Sequence, residues 1–413
     1  MPQHAIRIDP ERLKTLLNGV NRFGFVPETG GYTRPGFTRV DLECRDWFEA
    51  QMRADDLQVW RDGALNLFGR YGPEDGPCVM AGSHLDTVVN GGAFDGALGA
   101  CVALECVRTM KDAGITPRIA IEVAATSEEE GRFGGMLGSQ AIAGAITPAW
   151  IEQAIDADGI RLRDAMNSLG LEPMDILKAA RPAGSINAFL ELHIEQGPVL
   201  EAEEFPIGIA EEVSGVCYLE LELTGIANHS GTTPMHLRAD AFAGLSELAG
   251  TIPDLIQMHG TDQSRFTIGH VELSPNHPHT IPGRAVFSVI LRDTSEEIMV
   301  GLKSRFLESA DIVANRHRLK LNKTERSWLS PVSLDSELAD KLAGLAERKE
   351  LPARRMPSGA GHDAQTMQSF CPSGLIFVPS RAGISHAPEE HSDWSDIEKG
   401  ANLMLQALLD LSG

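Results

Sequence analysis

The sequence has no stretch able to cross a membrane, since no apolar run approaches the roughly 18 residues that a spanning helix needs. It also has no CxxC pair. Its six cysteines, Cys44, Cys78, Cys101, Cys106, Cys217 and Cys371, are scattered through a long chain. That argues against a disulfide framework and for small, buried apolar side chains. Basic residues are in the minority: 36 Lys and Arg face 58 Asp and Glu, a formal charge of −22. Such a surface repels phosphate backbones, so nucleic acid is not an expected partner. The opening "MPQHAIRIDPERLKTLL" lacks a signal-peptide apolar segment, because Arg7, Asp9 and Glu11 interrupt it. A cytoplasmic location is the expectation, with no membrane partner. Two catalytic signatures are missing too. Without a GxSxG elbow a serine hydrolase is disfavoured, and without HExxH so is the single-zinc helix site.

What remains is a globular composition, 42% hydrophobic and 23% charged, over 413 residues. That length exceeds one ordinary core and predicts two domains. Up to about residue 213, strand-like runs ("CVMAGS", "RIAIEVAAT", "AFLELHIEQG") alternate with helical ones, such as residues 97–114 with their stop at Gly114. This texture predicts an α/β layer around a mixed sheet. It returns after residue 329, where "GLIFVPS" reads as a late strand. Between them, residues 214–328 read as βαββαβ, with period-two alternation in "GVCYLELELTG" and helices expected over 235–258 and 295–315. The expected architecture is a catalytic α/β domain (1–213 and 329–413) with a smaller inserted α+β domain (214–328).

Four stretches carry chemistry, and each lies at the end of a predicted strand. "GSHLDTVVNGGAFDG" holds His84, Asp86 and Asp95. His84 and Asp86, two apart, point the same way at a strand end, and a carboxylate near a histidine can fix its second nitrogen. Asp95 reads equally as a helix cap or turn residue. "TSEEEGRFGG" holds Glu128, Glu129 and Glu130; three adjacent carboxylates repel one another unless a cation is present, although a solvated acidic loop is the plain alternative. "LELHIEQGP" holds His193, a core histidine or a ligand, followed by Gln196. "PSRAGISHAPEE" holds His386. Ligands in open α/β sheets lie at the carboxyl ends of strands, and coincidence is a poor account of all four. Histidine with carboxylate and no thiolate suits Zn, Mn, Co or Ni. Five such ligands with one carboxylate shared would hold two ions about 3.5–4 Å apart.

With these stretches in hand, the chain resembles the M20 family of dinuclear metallopeptidases, most closely the branch of N-carbamoyl-L-amino acid hydrolases, β-ureidopropionases and allantoate amidohydrolases. The matching text also includes "NHSGTTPMHLRADA" and "PSGAGHDA", and it runs in order through nearly the whole chain. The resemblance implies an aminopeptidase-like catalytic domain with an inserted lid and dimerisation domain, hence a homodimer, and two divalent ions per subunit. It implies His84, Asp95 and His193 on one ion, and Asp95, Glu129 and His386 on the other. Asp86 would orient His84, and Glu128 would be the general base. The three glutamates allow two registers. Aligning on Arg132 and Phe133 gives Glu128 as base and Glu129 as ligand; aligning on Glu-Glu-Gly moves both by one, to Glu129 and Glu130. The first is preferred because Thr126 and Phe133 then match as well.

By the same resemblance, His229 polarises the scissile carbonyl across a dimer interface, an oxyanion role worth roughly 3–4 kcal/mol of barrier. Arg292 grips a substrate carboxylate, which a planar guanidinium suits. Gln196, Gly361 and His362 contact the amide or carbamoyl end. As isolated features, His229 reads as a turn histidine, Arg292 as a solvated strand-end arginine and His362-Asp363 as a structural pair. One departure stands out. Where the family has Asn-x-Ile-Pro, this chain has "HTIP", which puts His279 in the asparagine's place, with Asn276 three residues earlier. That change bears on the substrate more than on the chemistry.

The resemblance thus implies metal-dependent hydrolysis of a linear amide on a small carboxylate-bearing molecule. An N-carbamoyl-L-amino acid leads, with allantoate, β-ureidopropionate and N-acyl amino acids as competitors. A metal-free scaffold of the same fold is the contrasting reading; it should lack a ligand or the base, and here every such position is filled. Asp95→Ala is expected to remove metal from both positions, read as metal content per chain. Retention of two ions would defeat the shared-carboxylate assignment.

Overall fold

A computed structural model describes residues 6–413 of the chain. Contacts divide it into two compact units, one running up to Glu211 and resuming at Ser333–Gly413, the other Glu212–Val332. The division expected from the sequence fell at 213 and 328. Among the described residues no helix is long and apolar enough to cross a membrane.

The larger unit is built on a mixed sheet. Its central strands lie in the order Ala120–Thr126, Cys78–His84, Ile186–Ile194, Ser373–Val378, and each pairs parallel with its neighbour. Every residue of Ala120–Thr126, Cys78–His84 and Ser373–Val378 is buried. A parallel sheet covered on both faces requires such continuous apolar runs. One face packs on the helices Ala97–Asp112 and Trp394–Ser412, whose Leu98, Val102, Leu405 and Leu408 join the main core. A separate cluster forms around Phe37, Phe133, Leu137, Ile151 and Met166.

Register places the functional stretches along one edge. His84 pairs with Thr126, and Val378 with Ile194. The segments holding Glu128–Glu130, Asp95, Gln196 and His386 therefore all leave the carboxyl ends of parallel strands. A buried cation fastens this edge. Arg45, on the helix Arg39–Ala54, is fully buried and bonds Asp41 Oδ1 at 2.8 Å. Its other nitrogens donate to the carbonyls of Leu65 (3.3 Å), Ala125 (3.0 Å) and Thr126 (2.8 Å).

The inserted unit holds the antiparallel strands Val271–Ser274, Arg284–Asp293, Gly215–Thr224 and Lys320–Leu329, in that order. Along Gly215–Thr224 burial alternates residue by residue, the signature of one covered and one open face. Cys217, Leu219, Leu221 and Leu223 pack with Phe306 and Leu302 of the helix Glu296–Arg316. Two expectations are refined here. The helical run over 235–258 becomes a short turn and two helices, Ala241–Ala249 and Ile252–His259. Gly250 caps the first, and Pro253 fits only the opening turn of the second. The "RFTIGHVEL" run becomes two short strands, Arg265–Thr267 and Val271–Ser274.

Removing Arg45 would strand a buried carboxylate and three carbonyls. Arg45→Ala is expected to destabilise the chain by about 3–5 kcal/mol, measured by denaturant unfolding. A change under about 1 kcal/mol would contradict this role of the arginine.

Candidate metal centre

The centre is organised around one carboxylate. Asp95 lies in the turn before the helix Ala97–Asp112 and is 4% exposed. Its Oδ1 is 3.4 Å from His84 Nε2 and 3.1 Å from His193 Nε2. Its Oδ2 is 3.3 Å from His386 Nε2, and that nitrogen is 3.4 Å from Glu130 Oε2. Among the described residues ligand-competent atoms gather in three groups, His84–Asp95–His193, Asp95–Glu130–His386 and Glu191–His193–His362, and Asp95 belongs to the first two. Those two groups meet different oxygens of Asp95.

The histidines are held in one tautomer by main-chain acceptors. His84 Nδ1 is 3.0 Å from the carbonyl of Asp86, and His193 Nδ1 is 2.9 Å from that of Ile194. A proton on each Nδ1 leaves the Nε2 lone pair facing Asp95. The Gly96 N–H donates to His193 Nε2 at 3.2 Å. Gly96 has φ +60°, and a Cβ there would lie 2.3 Å from ring atoms of His84. The glycine after Asp95 is therefore a steric requirement of the His84 ring.

Electrostatics point to a missing positive charge. Burial disfavours charge on His84, yet Glu129, Asp95 and Asp86 outweigh it and raise its pKa well above the usual value. Burial would also raise Asp95, but His193, His386 and His84 hold it well below the carboxylate range. Burial pushes Glu130 up to about 7, reinforced by Asp95. Burial also pushes Glu191 up to about 7, with Asp363 adding to it. Histidines drawn toward protonation among carboxylates resisting ionisation describe a pocket whose negative field a cation would relieve. Carboxylate and imidazole donors with no thiolate fit a hard-to-borderline divalent ion.

Within the glutamate run one side chain lies in the group around Asp95 and His386. Glu130, not Glu129, joins Asp95 and His386. Glu128 sits at φ +54°, and its side chain lies in the loop. There its Oε1 accepts from the Phe133 N–H at 2.5 Å, its Oε2 has no hydrogen-bond partner, and burial raises its pKa to about 8. Glu129 instead faces the centre, with Oε2 3.7 Å from His84 Nε2. Burial raises its pKa well above normal, opposed by His84 and reinforced by Asp363.

The second difference concerns Asp86. It meets His84 through its main-chain carbonyl, while its side-chain Oδ2 accepts from the Glu130 N–H at 3.2 Å and its Oδ1 lies 3.7 Å from Arg45. Gln196, expected on the substrate, donates to Asp95 Oδ2 at 2.8 Å. His362 is 1% exposed, 2.9 Å from Ser358 Oγ, with its ring edge-on to His193 at 4.6 Å between centroids. Gly361 is partly exposed, and a Cβ there would meet Met136. Sequence reasoning missed Asn66. Its Oδ1 accepts from Ser127 N–H at 3.0 Å, and its Nδ2 donates to Asp62 and to the Gly138 carbonyl. This clamps the start of the glutamate loop, and an isolated asparagine before a strand gives no signal of it.

The other predicted residues belong to the inserted unit. His229 is exposed, and its Nδ1 accepts from the N–H groups of Gly231 (3.0 Å) and Thr232 (3.2 Å). Its proton is therefore on the free Nε2. His279 lies beside it: strand Asn228–His229 pairs with Thr280–Ile281, and Ser230 N–H donates to the His279 carbonyl at 3.0 Å. Arg292 stands opposite Val216 and Arg265, and burial lowers its pKa.

Gly96→Ala is expected to displace the His84 ring and weaken zinc binding by about 10–100-fold, measured by competition with a chromophoric chelator. Unchanged affinity would show that the ring has room to spare.

The sequence matches peptidase family M20/M25/M40 over residues 80–410. It is 37% identical over 402 residues to an N-carbamoyl-L-amino-acid amidohydrolase of Paenarthrobacter aurescens, covering 96% of this chain and 97% of that one. It is 34% identical over 408 residues to an allantoate amidohydrolase of Escherichia coli K12, covering 97% and 98%. Among solved structures, a hydantoinase/carbamoylase family amidase from Burkholderia multivorans superposes with a TM-score of 0.90 at 31% identity, covering 99% of each chain. The chain belongs to peptidase family M20/M25/M40.

Proposed function

We propose that this protein is a metal-dependent amidohydrolase that cleaves a C–N bond of a linear amide, with an N-carbamoyl-L-amino acid as substrate. The observation that carries the reading is the position of Asp95, with one oxygen toward His84 and His193 and the other toward His386 and Glu130. Relatives named for N-carbamoyl-L-amino acids and for allantoate match over almost the whole chain, so allantoate is the competing substrate.

His84, Asp95 and His193 would hold one divalent ion, and Asp95, Glu130 and His386 a second, drawn from Zn, Mn, Co or Ni. Such ions supply Lewis acidity and lower the pKa of a bound water. Glu129, which faces the centre beside His84, takes over the general-base role first given to Glu128. It removes the proton of the attacking water and delivers it to the leaving nitrogen. An N-carbamoyl amino acid would then yield the amino acid and carbamate, which breaks down to CO₂ and ammonia. Gln196 holds Asp95 in place by its amide. His229, with its proton on an exposed Nε2, is suited to donate to the developing oxyanion across the dimer interface. Arg292 would take the substrate carboxylate, and the neighbour of His229, His279, would shape the substrate's far end. The inserted unit exposes Ile226, Met235, Leu237 and Phe242, apolar side chains that the second subunit of a cytoplasmic homodimer would cover.

The test is ammonia release by metal-stripped and metal-restored protein, with N-carbamoyl-L- and D-amino acids, β-ureidopropionate and allantoate. Turnover restored by metal on the N-carbamoyl-L-amino acids is expected; turnover by stripped protein, or none on any compound, would contradict the reading. Glu129→Gln is expected to lower kcat by about 10²–10⁴-fold with little change in KM, and Glu128→Gln much less. The reverse order would return the base to Glu128.

A further inference from the structure

The bridging geometry of Asp95 requires that its turn and the loop carrying His386 be held in fixed relation, although 291 positions separate the two residues. Neither Asp95 nor His386 can enforce this. Gly96, at the N-terminus of the helix Ala97–Asp112, offers no side-chain cap, and His386 sits on left-handed backbone at φ +55°, a conformation that needs outside support.

One buried carboxylate reaches both segments. Glu390, 4% exposed, accepts from the N–H of Phe94 at 2.9 Å and from the N–H of Asp95 at 3.0 Å, both on Oε1. Its Oε2 accepts from Ser385 Oγ at 2.9 Å. Ser385 immediately precedes His386, and its Oγ also lies 3.2 Å from Asp95 Oδ2 and 3.1 Å from Gln196 Nε2. The carboxylate thus gathers the Asp95 turn and the His386 loop directly, and through Ser385 the segment after His193. Both of its oxygens accept hydrogen bonds within the protein. The approach depends on Gly92. A Cβ at that position would lie 2.1 Å from the Glu390 carboxyl carbon. The paired glycines of "NGGAFDG" therefore include one whose missing side chain makes room for a residue almost 300 positions away.

We propose that Glu390 is the positioning residue of the metal centre: it fixes Asp95 relative to His386, and so sets whether the second ion is bound. This rests on the reading of Asp95 as the carboxylate shared by two ions. The role is one of hydrogen-bond acceptance, not of charge. A glutamine can still accept both main-chain N–H groups on its oxygen and can donate to Ser385 Oγ, so it should largely restore the arrangement. An alanine leaves two buried N–H donors without partners and frees Ser385.

The experiment is zinc titration against a chromophoric chelator, with metal content and Tm measured on the same full-length samples of wild type, Glu390→Gln, Glu390→Ala and Ser385→Ala. Wild type is expected to bind two ions. Glu390→Ala is expected to weaken the second by about 10–100-fold, the usual effect of removing an outer partner of a ligand. Glu390→Gln should stay within about threefold of wild type, and Ser385→Ala should weaken the second ion while leaving Tm near the wild-type value. Should Glu390→Ala fail to fold, the glutamine and Ser385 variants decide. Full zinc affinity in Glu390→Ala or Ser385→Ala would overturn the proposal, as would a glutamine variant as impaired as the alanine. A wild type that binds fewer than two ions would overturn instead the shared-carboxylate reading on which it rests.

Discussion

The structure depends on how one buried carboxylate is shared. Asp95 is nearly inaccessible and is approached by three imidazole nitrogens at 3.1–3.4 Å. Around it Asp86, Glu128, Glu191, Asp363 and Glu390 are all buried. Taking that much like charge out of water is costly unless a compensating positive charge is present. Arg45 compensates one end of the group, beside Asp41 and Asp86. The histidines facing Asp95 cannot do the rest as neutral rings. The pocket has the donor atoms, the geometry and the electrostatic deficit of a cation site, and these are three separate observations.

The fold supplies what the centre needs by placing four strand ends side by side. Parallel pairing from Ala120–Thr126 through Ser373–Val378 brings together segments distant in sequence, so that His84 and His193 on the strands meet Asp95, Glu130 and His386 on the loops that leave that edge. The loops themselves are strained. Glu128, Gln196 and His386 all have positive φ, at 54°, 57° and 55°. Non-glycine residues hold such backbone only where surroundings over-determine it. Here the surroundings are the Phe133 N–H on Glu128, the Ser380 hydroxyl on the Gln196 N–H and the Ser385–Glu390 bond beside His386.

Much of this was legible in the sequence. Histidine or carboxylate after each of four apolar runs was enough to predict one edge of an α/β sheet, because strand polarity and the parallel crossover fix where loops emerge. Alternation in "GVCYLELELTG" announced the separate inserted sheet. Which of the three glutamates lies beside Asp95 and His386 was not legible. Identical side chains carry no internal mark, and no residue type signals the left-handed backbone at Glu128. The role of Asp86 was hidden for a different reason: its carbonyl, which every residue possesses, does the work its side chain was expected to do. Glu390 lay in plain view in "SHAPEE", yet only the folded chain shows that it reaches the Asp95 turn. The break of the 235–258 helix at Gly250 and Pro253 was, by contrast, written in the residues.

The most direct test of the shared carboxylate is anomalous diffraction from crystals of the protein grown with zinc. Two peaks about 3.5–4 Å apart are expected, each within bonding distance of a different oxygen of Asp95, with Glu130 on the ion nearer His386 and Glu129 on neither. A single peak, or an Asp95 that chelates one ion with both oxygens, would contradict the account.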